Sequence, residues 1–291
     1  MTGAQIQSDP CPICAGPPRD FLEKHGWRIV RCQECGHLFV GDALPTDHLH
    51  LVYSDEYFVG GGAGYPGYLE DGEILRQHGQ RYGRLLAKYV EPAKILDVGS
   101  AAGFILQGLT DSGWEGQGLE PNSSMAEFAR VSLGLQVDCG SIEGYLPDEQ
   151  FNVVSMIQVV AHFNDLRAAT ANASEATRPG GLWLIETWNR ESRTAKIFGK
   201  RWHEFSPPSV LHWFSPEGLS QLASQYGFSE LARGRPRKRI SSRHIKSLLR
   251  HVAQDSLVAR ILGIAAGALP DSLVFPYPSE DLFWMILRKD S

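Results

Sequence analysis

Basic charge is scarce in this chain: 28 Lys and Arg against 33 Asp and Glu leave a formal net charge of −5 over 291 residues. That balance gives no global basicity that would point to a long phosphate backbone as partner. Long apolar runs are also missing. The longest, ILGIAAGAL at 261–269, falls well short of the ~18 residues a membrane span requires. The N-terminal MTGAQIQSDP has no apolar h-region. A soluble protein that stays in the cytoplasm is therefore expected. Cysteine is sparse too, with five in all, an odd number that suits no disulfide framework.

Four of the five fall as Cys11, Cys14, Cys32 and Cys35, a C-x2-C-x17-C-x2-C array. Two tight turns, CPIC and CQECG, bring two thiolates each to one tetrahedral ion, so the spacing predicts structural zinc. The residues between them, RDFLEKHGWRIVR, read as a short hairpin. Redox-active pairs would need an exposed thiolate beside a thioredoxin-like unit, and none surrounds these turns. The fifth, Cys139, is expected to be a small buried hydrophobe.

With 43% hydrophobic and 21% charged residues, the chain is globular, with room for one large domain plus appendages. Residues 1–45 read as a zinc-ribbon module. Residues 46–72, rich in Gly, Tyr and Asp, read as a lid or linker. From 73 to 291 short β-like runs alternate with helical patterns (helices at 103–112, 123–133, 165–177 and 216–226), which implies an α/β, doubly wound parallel sheet with helices on both faces. A basic helical insertion is expected at about 236–280. The stretch from Arg233 to Arg250 carries eight Lys or Arg and no acid, a local patch that suits a diphosphate or simply a solvated face.

In such a sheet, ligands bind beyond the carboxyl ends of the strands. AKILDVGSAAGF at 93–104 lies there: Gly99 and Gly103 allow close backbone approach, and the next helix opens toward the ligand. Glu120, about 20 residues further on in GLEP, is placed to accept from both ribose hydroxyls, which predicts an adenosine ligand. The turn reads G-S-A-A-G, without the third glycine a dinucleotide wants, and Asp97 at the strand end suits a cationic amino-acid moiety better than a phosphate.

ILDVGSAAG, GLEPN, FNVVSMIQVVAHFND and ATRPGGLWLIETWN, in this order, resemble the class I S-adenosylmethionine-dependent methyltransferases over about 95–190. The resemblance implies a Rossmann-like seven-stranded methyltransferase sheet that binds S-adenosylmethionine. It places Gly99, Ser100 and Gly103 at the methionine end with Asp97 behind them, Glu120 on the ribose, Ser141 and Ile142 beside the adenine, and Gln158 and His162 by the cofactor. Together with the four-cysteine ribbon, CGHLFV, YSDEYF and the long FGKRWHEFSPPSVLHWFSPEGLSQLASQYGF stretch are similar to a bacterial subfamily of zinc-ribbon methyltransferases that includes nucleotide-sugar C-methyltransferases. Those relatives carry Glu-His before the aromatic-Phe-Ser; this chain has Ser209 and Val210, which leaves O- or C-methylation open.

The expected acceptor is a small molecule, such as a sugar, nucleotide-sugar or secondary metabolite, phosphorylated or nucleotide-linked. Aromatics Tyr65, Tyr68, Trp202, Trp213 and Phe214 are candidates to wall its pocket. An rRNA or tRNA methyltransferase is the alternative; the negative charge and a ribbon with few lysines speak against nucleic acid. A non-catalytic zinc-ribbon adaptor would have little use for both Asp97 and Glu120. Methyl transfer from a sulfonium needs alignment and a base. Of His162, His203 and His212 on segments leaving the strands, His212 is expected as the base and His162 as a positioning residue.

Overall fold

The chain opens on a ribbon of β1 (Pro18–Lys24), β2 (Trp27–Cys32) and β3 (Leu38–Val40). His25 and Gly26, at φ 50° and 79°, form the left-handed two-residue turn that closes the β1–β2 hairpin. Beyond it run α1 (Gly72–Leu86), β4 (Lys94–Val98), α2 (Phe104–Thr110), β5 (Glu115–Glu120), α3 (Ser123–Leu133), β6 (Gln136–Cys139) and β7 (Phe151–Ile157). Then come α4 (Leu166–Ala176), β8 (Thr177–Trp188), α5 (Arg193–Phe198), β9 (His212–Trp213), α6 (Pro216–Ser224), β10 (Phe228–Gly234), β11 (Arg239–Ser241), β12 (Val274–Pro276) and β13 (Leu282–Lys289). This computed structural model describes residues 9–45, 48, 52–54, 68–145, 148–243, 245–246, 270, 273–277 and 279–291.

Seven strands make one sheet in the order β6-β5-β4-β7-β8-β13-β10. The first five are parallel to their neighbours, whereas β13 runs antiparallel between β8 and β10. The expected doubly wound, seven-stranded α/β sheet is thus present. Its central strands are apolar on both faces because both are covered. Ile95, Val153, Leu182, Leu184 and Ile286 face Tyr82, Leu86 and Leu109 of α1 and α2. Their sequence neighbours Leu96, Val154, Trp183, Ile185 and Met285 face Leu166, Ala169, Leu219 and Leu222 of α4 and α6. Side-chain caps start the helices: Asn122 accepts from Met125 N, Asp165 from Arg167 N and Ala168 N, and Ser215 from Gly218 N with Pro216 in the first turn.

The ribbon is stitched into this body. β3 pairs with β9 (Leu38↔Trp213, Phe39↔His212), so a strand of the long connection after β8 becomes the ribbon sheet's fourth member. Cys11, Ile13, Val30 and Phe39 share one apolar cluster with Phe214, Leu219 and Leu222. Arg167, opening α4, donates to the carbonyls of Cys11 and Pro12 at 3.0 and 3.1 Å, and Gln225, closing α6, donates to that of Ile13 at 2.6 Å.

Two expectations change, and one lies mostly outside the described residues. Cys139 is exposed, because β6 is an edge strand of the sheet. The basic stretch is not helical throughout: β11 and β12 pair antiparallel, Arg239↔Pro276 to Ser241↔Val274, while 247–269 lie outside the described residues. Most of the 46–72 lid, Tyr65 included, also lies outside them. Among the described residues no helix is long and apolar enough to cross a membrane.

α1 and α2 cross with glycine against glycine: a methyl on Gly79 would lie 2.1 Å from the Ile105 carbonyl oxygen, and one on Gly108 would lie 2.0 Å from that of Arg76. Backbone cannot yield as a flexible side chain can. Gly79→Ala should therefore destabilise the fold by about 2–3 kcal/mol despite its better helix propensity; urea unfolding of both proteins measures the difference.

Candidate active site

The carboxyl ends of β4 and β5 carry one acid each. Asp97 is 3% exposed and accepts from Ser155 Oγ on β7 at 2.7 Å. Glu120, also 3% exposed, accepts from the backbone N–H groups of Ala101 and Asn122, both at 2.8 Å. The turn between β4 and α2 passes over them with Gly99 at φ 68°, Ala101 at 47° and Gly103 at 85°. Gly99 is required twice over, since a side chain there would also meet Val159 at 2.3 Å.

Burial raises the pKa of both acids to about 7; the Ser155 hydrogen bond opposes it at Asp97, where Glu120 adds repulsion, and the two backbone N–H groups oppose it at Glu120. Without a cation beside them, two buried carboxyls are harder to ionise than usual. Nearby, Ser100 Oγ and Gln158 Oε1 are buried without a hydrogen-bond partner. Acids that want a positive partner, together with orphaned polar atoms, fit the amino-acid end of S-adenosylmethionine. Ser141 caps the turn after β6, accepting from Glu143 N, and Ile142 beside it is 1% exposed.

Gln158, at the end of β7, holds a left-handed φ of 60° and donates its Nε2 to Glu186 on β8 at 2.7 Å. Glu186 is fully buried and also meets His78 Nε2 at 2.9 Å, Tyr82 OH and Lys238 Nζ at 2.8 Å. Burial alone would raise its pKa, but the charges and hydrogen bonds of Lys238 and His78 outweigh it and hold the carboxyl well below its usual range. Sequence patterning missed this hub, because Glu186 reads as one polar residue in an apolar strand. The only hint was that a carboxylate in GLWLIETW needs a partner.

His162 Nδ1 donates to the Ser209 carbonyl at 2.6 Å, and its ring stands edge-on to Tyr53 and Trp188 at 5.8 and 6.1 Å. Burial keeps it neutral, with the Ser209 and Gln158 carbonyls partly opposing. His203 is on the surface side, 2.8 Å from Glu204, with Asp281 close by. Of the expected pocket aromatics, Trp202, Trp213 and Phe214 are fully packed in the core, and Tyr68 leans on Phe104.

His212 is a correction to the expected base. β9 buries it, its Nε2 donates to the Phe163 carbonyl at 3.0 Å, and its Nδ1 lies 3.4 Å from Nε2 of the ribbon's His37. With Nε2 donating, neutral His212 uses its one lone pair on His37 and has none for a substrate. Burial lowers its pKa to about 4.

Cys11, Cys14, Cys32 and Cys35 converge with all sulfurs within 4.8 Å of one another. Cys11–Cys35 and Cys14–Cys32 lie 3.6 and 3.3 Å apart, far beyond a ~2.05 Å disulfide bond and near the ~3.8 Å edge of a zinc–sulfur tetrahedron. The tetrad fits structural zinc.

A sequence-family model described as a methyltransferase domain matches residues 72–232, more than half of the chain. The chain belongs to the methyltransferase-domain family. The class I fold and the S-adenosylmethionine cofactor implied by its motifs accord with that membership. A curated relative, the ubiquinone biosynthesis O-methyltransferase of Bradyrhizobium sp. (strain ORS 278), is 29% identical over 135 residues, 44% of this chain and 50% of the relative. The chain spans about half the length of the curated relatives it matches. Among solved structures, a putative methyltransferase from Bacillus halodurans C-125 superposes with a TM-score of 0.53 at 13% identity, covering 73% of this chain and 99% of that one. A methyltransferase from Thermotoga maritima, described as a possible histamine N-methyltransferase, gives 0.50 at 20% identity over 77% and 94%. At these identities they show the fold alone.

The acid pair gives this methyltransferase domain a signed pH dependence. Folded-state pKa values raised to about 7 mean that their stabilising contribution is complete below pH ~4 and is lost as pH rises through about 7. In ligand-free protein, Asp97→Asn with Glu120→Gln should therefore remove a fall in unfolding free energy between pH 5 and 8. Denaturant titrations of both proteins at the two pH values check it.

Proposed function

We propose that this chain transfers the methyl group of S-adenosylmethionine to a nucleophilic atom of a small-molecule acceptor. The observation that carries the proposal is the buried, uncompensated Asp97–Glu120 pair beneath the left-handed turn 99–103. Asp97 with Ser100 and Gln158 would receive the ammonium and sulfonium end, Glu120 the ribose, and Ser141 and Ile142 the adenine edge. When bound, the cofactor supplies an activated methyl with a neutral leaving group. The protein's tasks are alignment, exclusion of water and removal of one acceptor proton.

We assign that proton to His162. Its Nδ1 is occupied by the Ser209 carbonyl, which fixes the neutral tautomer with the lone pair on Nε2. It also sits on the turn leaving β7, next to the cofactor end of the sheet. The curated relatives methylate oxygen by name, which favours a hydroxyl acceptor. A phosphorylated or nucleotide-linked acceptor is supported by the basic segment, whose Lys238 reaches the Glu186 hub. Arg81 on α1 there has a buried Nε without a partner and a pKa lowered by burial and by Arg239 and Arg84. The ribbon module at 1–45 would serve as a structural buttress to the 73–291 catalytic domain.

Glu120→Ala is expected to weaken S-adenosylmethionine binding by about 1.5–3 kcal/mol, the loss of a charged hydrogen-bonding partner, as read by calorimetry. His162→Ala should leave that affinity unchanged and lower kcat by ~10²–10⁴. The acceptor is found by incubating candidate libraries with cofactor and detecting the mass of one added methyl group; Arg237→Glu with Arg239→Glu should then raise its KM alone.

A further inference from the structure

Two arginines from distant parts of the chain converge on the second cysteine turn. Gly36 follows Cys35 and closes that turn by donating to the Cys32 carbonyl at 3.1 Å. A methyl on Gly36 would lie 3.5 Å from Arg31 Nη2 and 3.7 Å from Arg190 Nη2. Arg31 stands on β2; Arg190 stands two residues past the end of β8.

The protein's own acids answer these guanidiniums only in part, with Glu191 and Glu217 acting on Arg190. The Arg190 side chain is 11% exposed, its Nε has no hydrogen-bond partner, and its nearest carboxylate contact is 3.5 Å to a half-exposed Glu191. Its Nη2 reaches Ser215 Oγ at only 3.4 Å. Arg31 makes no ion pair among the described residues. Two like charges side by side, one of them nearly buried, repel each other and lose hydration, a cost that an anion must offset. Four cysteines that bind a dication give up their protons and leave a centre with two negative charges, and two guanidiniums neutralise it.

We propose that Arg31 and Arg190 are the charge-compensating outer shell of a zinc tetrathiolate, and that zinc binding thereby latches the chain leaving β8 onto the ribbon. This rests on the four-cysteine zinc reading. The latch has a direct path to the site. The Arg190 backbone N–H donates to the Phe214 carbonyl at 2.9 Å, in the segment that carries His212, and His212 in turn holds the Phe163 carbonyl beside His162.

Zinc affinity of the full chain, measured by competition with a chromogenic chelator, tests it. The wild type should bind one zinc, with cobalt substitution giving tetrathiolate charge-transfer bands. Arg190→Gln is expected to weaken zinc about 10–100-fold, Arg31→Gln less, and Arg190→Lys to retain most of the affinity, because charge rather than shape is required. Amide exchange at 189–193 should slow on zinc loading in the wild type and not in Arg190→Gln. Equal zinc affinity in wild type, Arg190→Gln and Arg31→Gln would overturn the proposal, as would equal losses in Arg190→Gln and Arg190→Lys. If Arg190→Gln does not fold, unchanged affinity in Arg31→Gln alone overturns it. A folded wild type that takes up no zinc would remove the four-cysteine reading itself, and the latch with it.

Discussion

Two carboxyl groups held out of water at neighbouring strand ends organise this molecule. Asp97 and Glu120 sit where a parallel sheet turns into helices, and each is fixed by neighbours that favour its ionised form, Ser155 Oγ for one and two backbone N–H groups for the other. Those neighbours are too few to overcome burial, so both acids lie close to half-protonated at neutral pH. A fold meant only to be stable would place apolar residues there. The left-handed turn at 99–103, the glycine forced by Val159 and the strained Gln158 are further departures from local preference at the same edge, and strain of this kind gathers where a ligand is held.

The ribbon is joined to the long connection after β8. Through β3–β9 pairing, the His37–His212 contact and the carbonyls gripped by Arg167 and Gln225, it supports the turn that carries His162. This explains why His212, attractive as a base in the sequence, is occupied: its two nitrogens join the ribbon to the strand-end loop. The small module has little apolar interior of its own and gains one by sharing a cluster with α6.

What could be read in the sequence was local. The cysteine spacing, the glycine turn and the acid of GLEP each lie within a few dozen residues, so periodicity and spacing alone placed them; the seven-stranded α/β class followed from the alternation and the resemblance, while the order of the strands came only with the structure. What escaped depends on distant pairing. Glu186 meets His78 and Tyr82 across 108 and 104 residues, and His37 meets His212 across 175. No window of sequence contains either contact. Cys139 was misjudged for a related reason: its burial depends on whether β6 is flanked on both sides, and only the sheet order shows that it is an edge.

Proton exchange on cofactor binding tests the central role of the acid pair most directly. Calorimetric titration of S-adenosylmethionine near pH ~6.5, in buffers of differing ionisation heat, counts the protons that accompany binding. With Asp97 and Glu120 part-protonated in the ligand-free protein and ionised beside a cation, binding should proceed with net proton release. No binding, or a heat that does not change with the buffer, would contradict it.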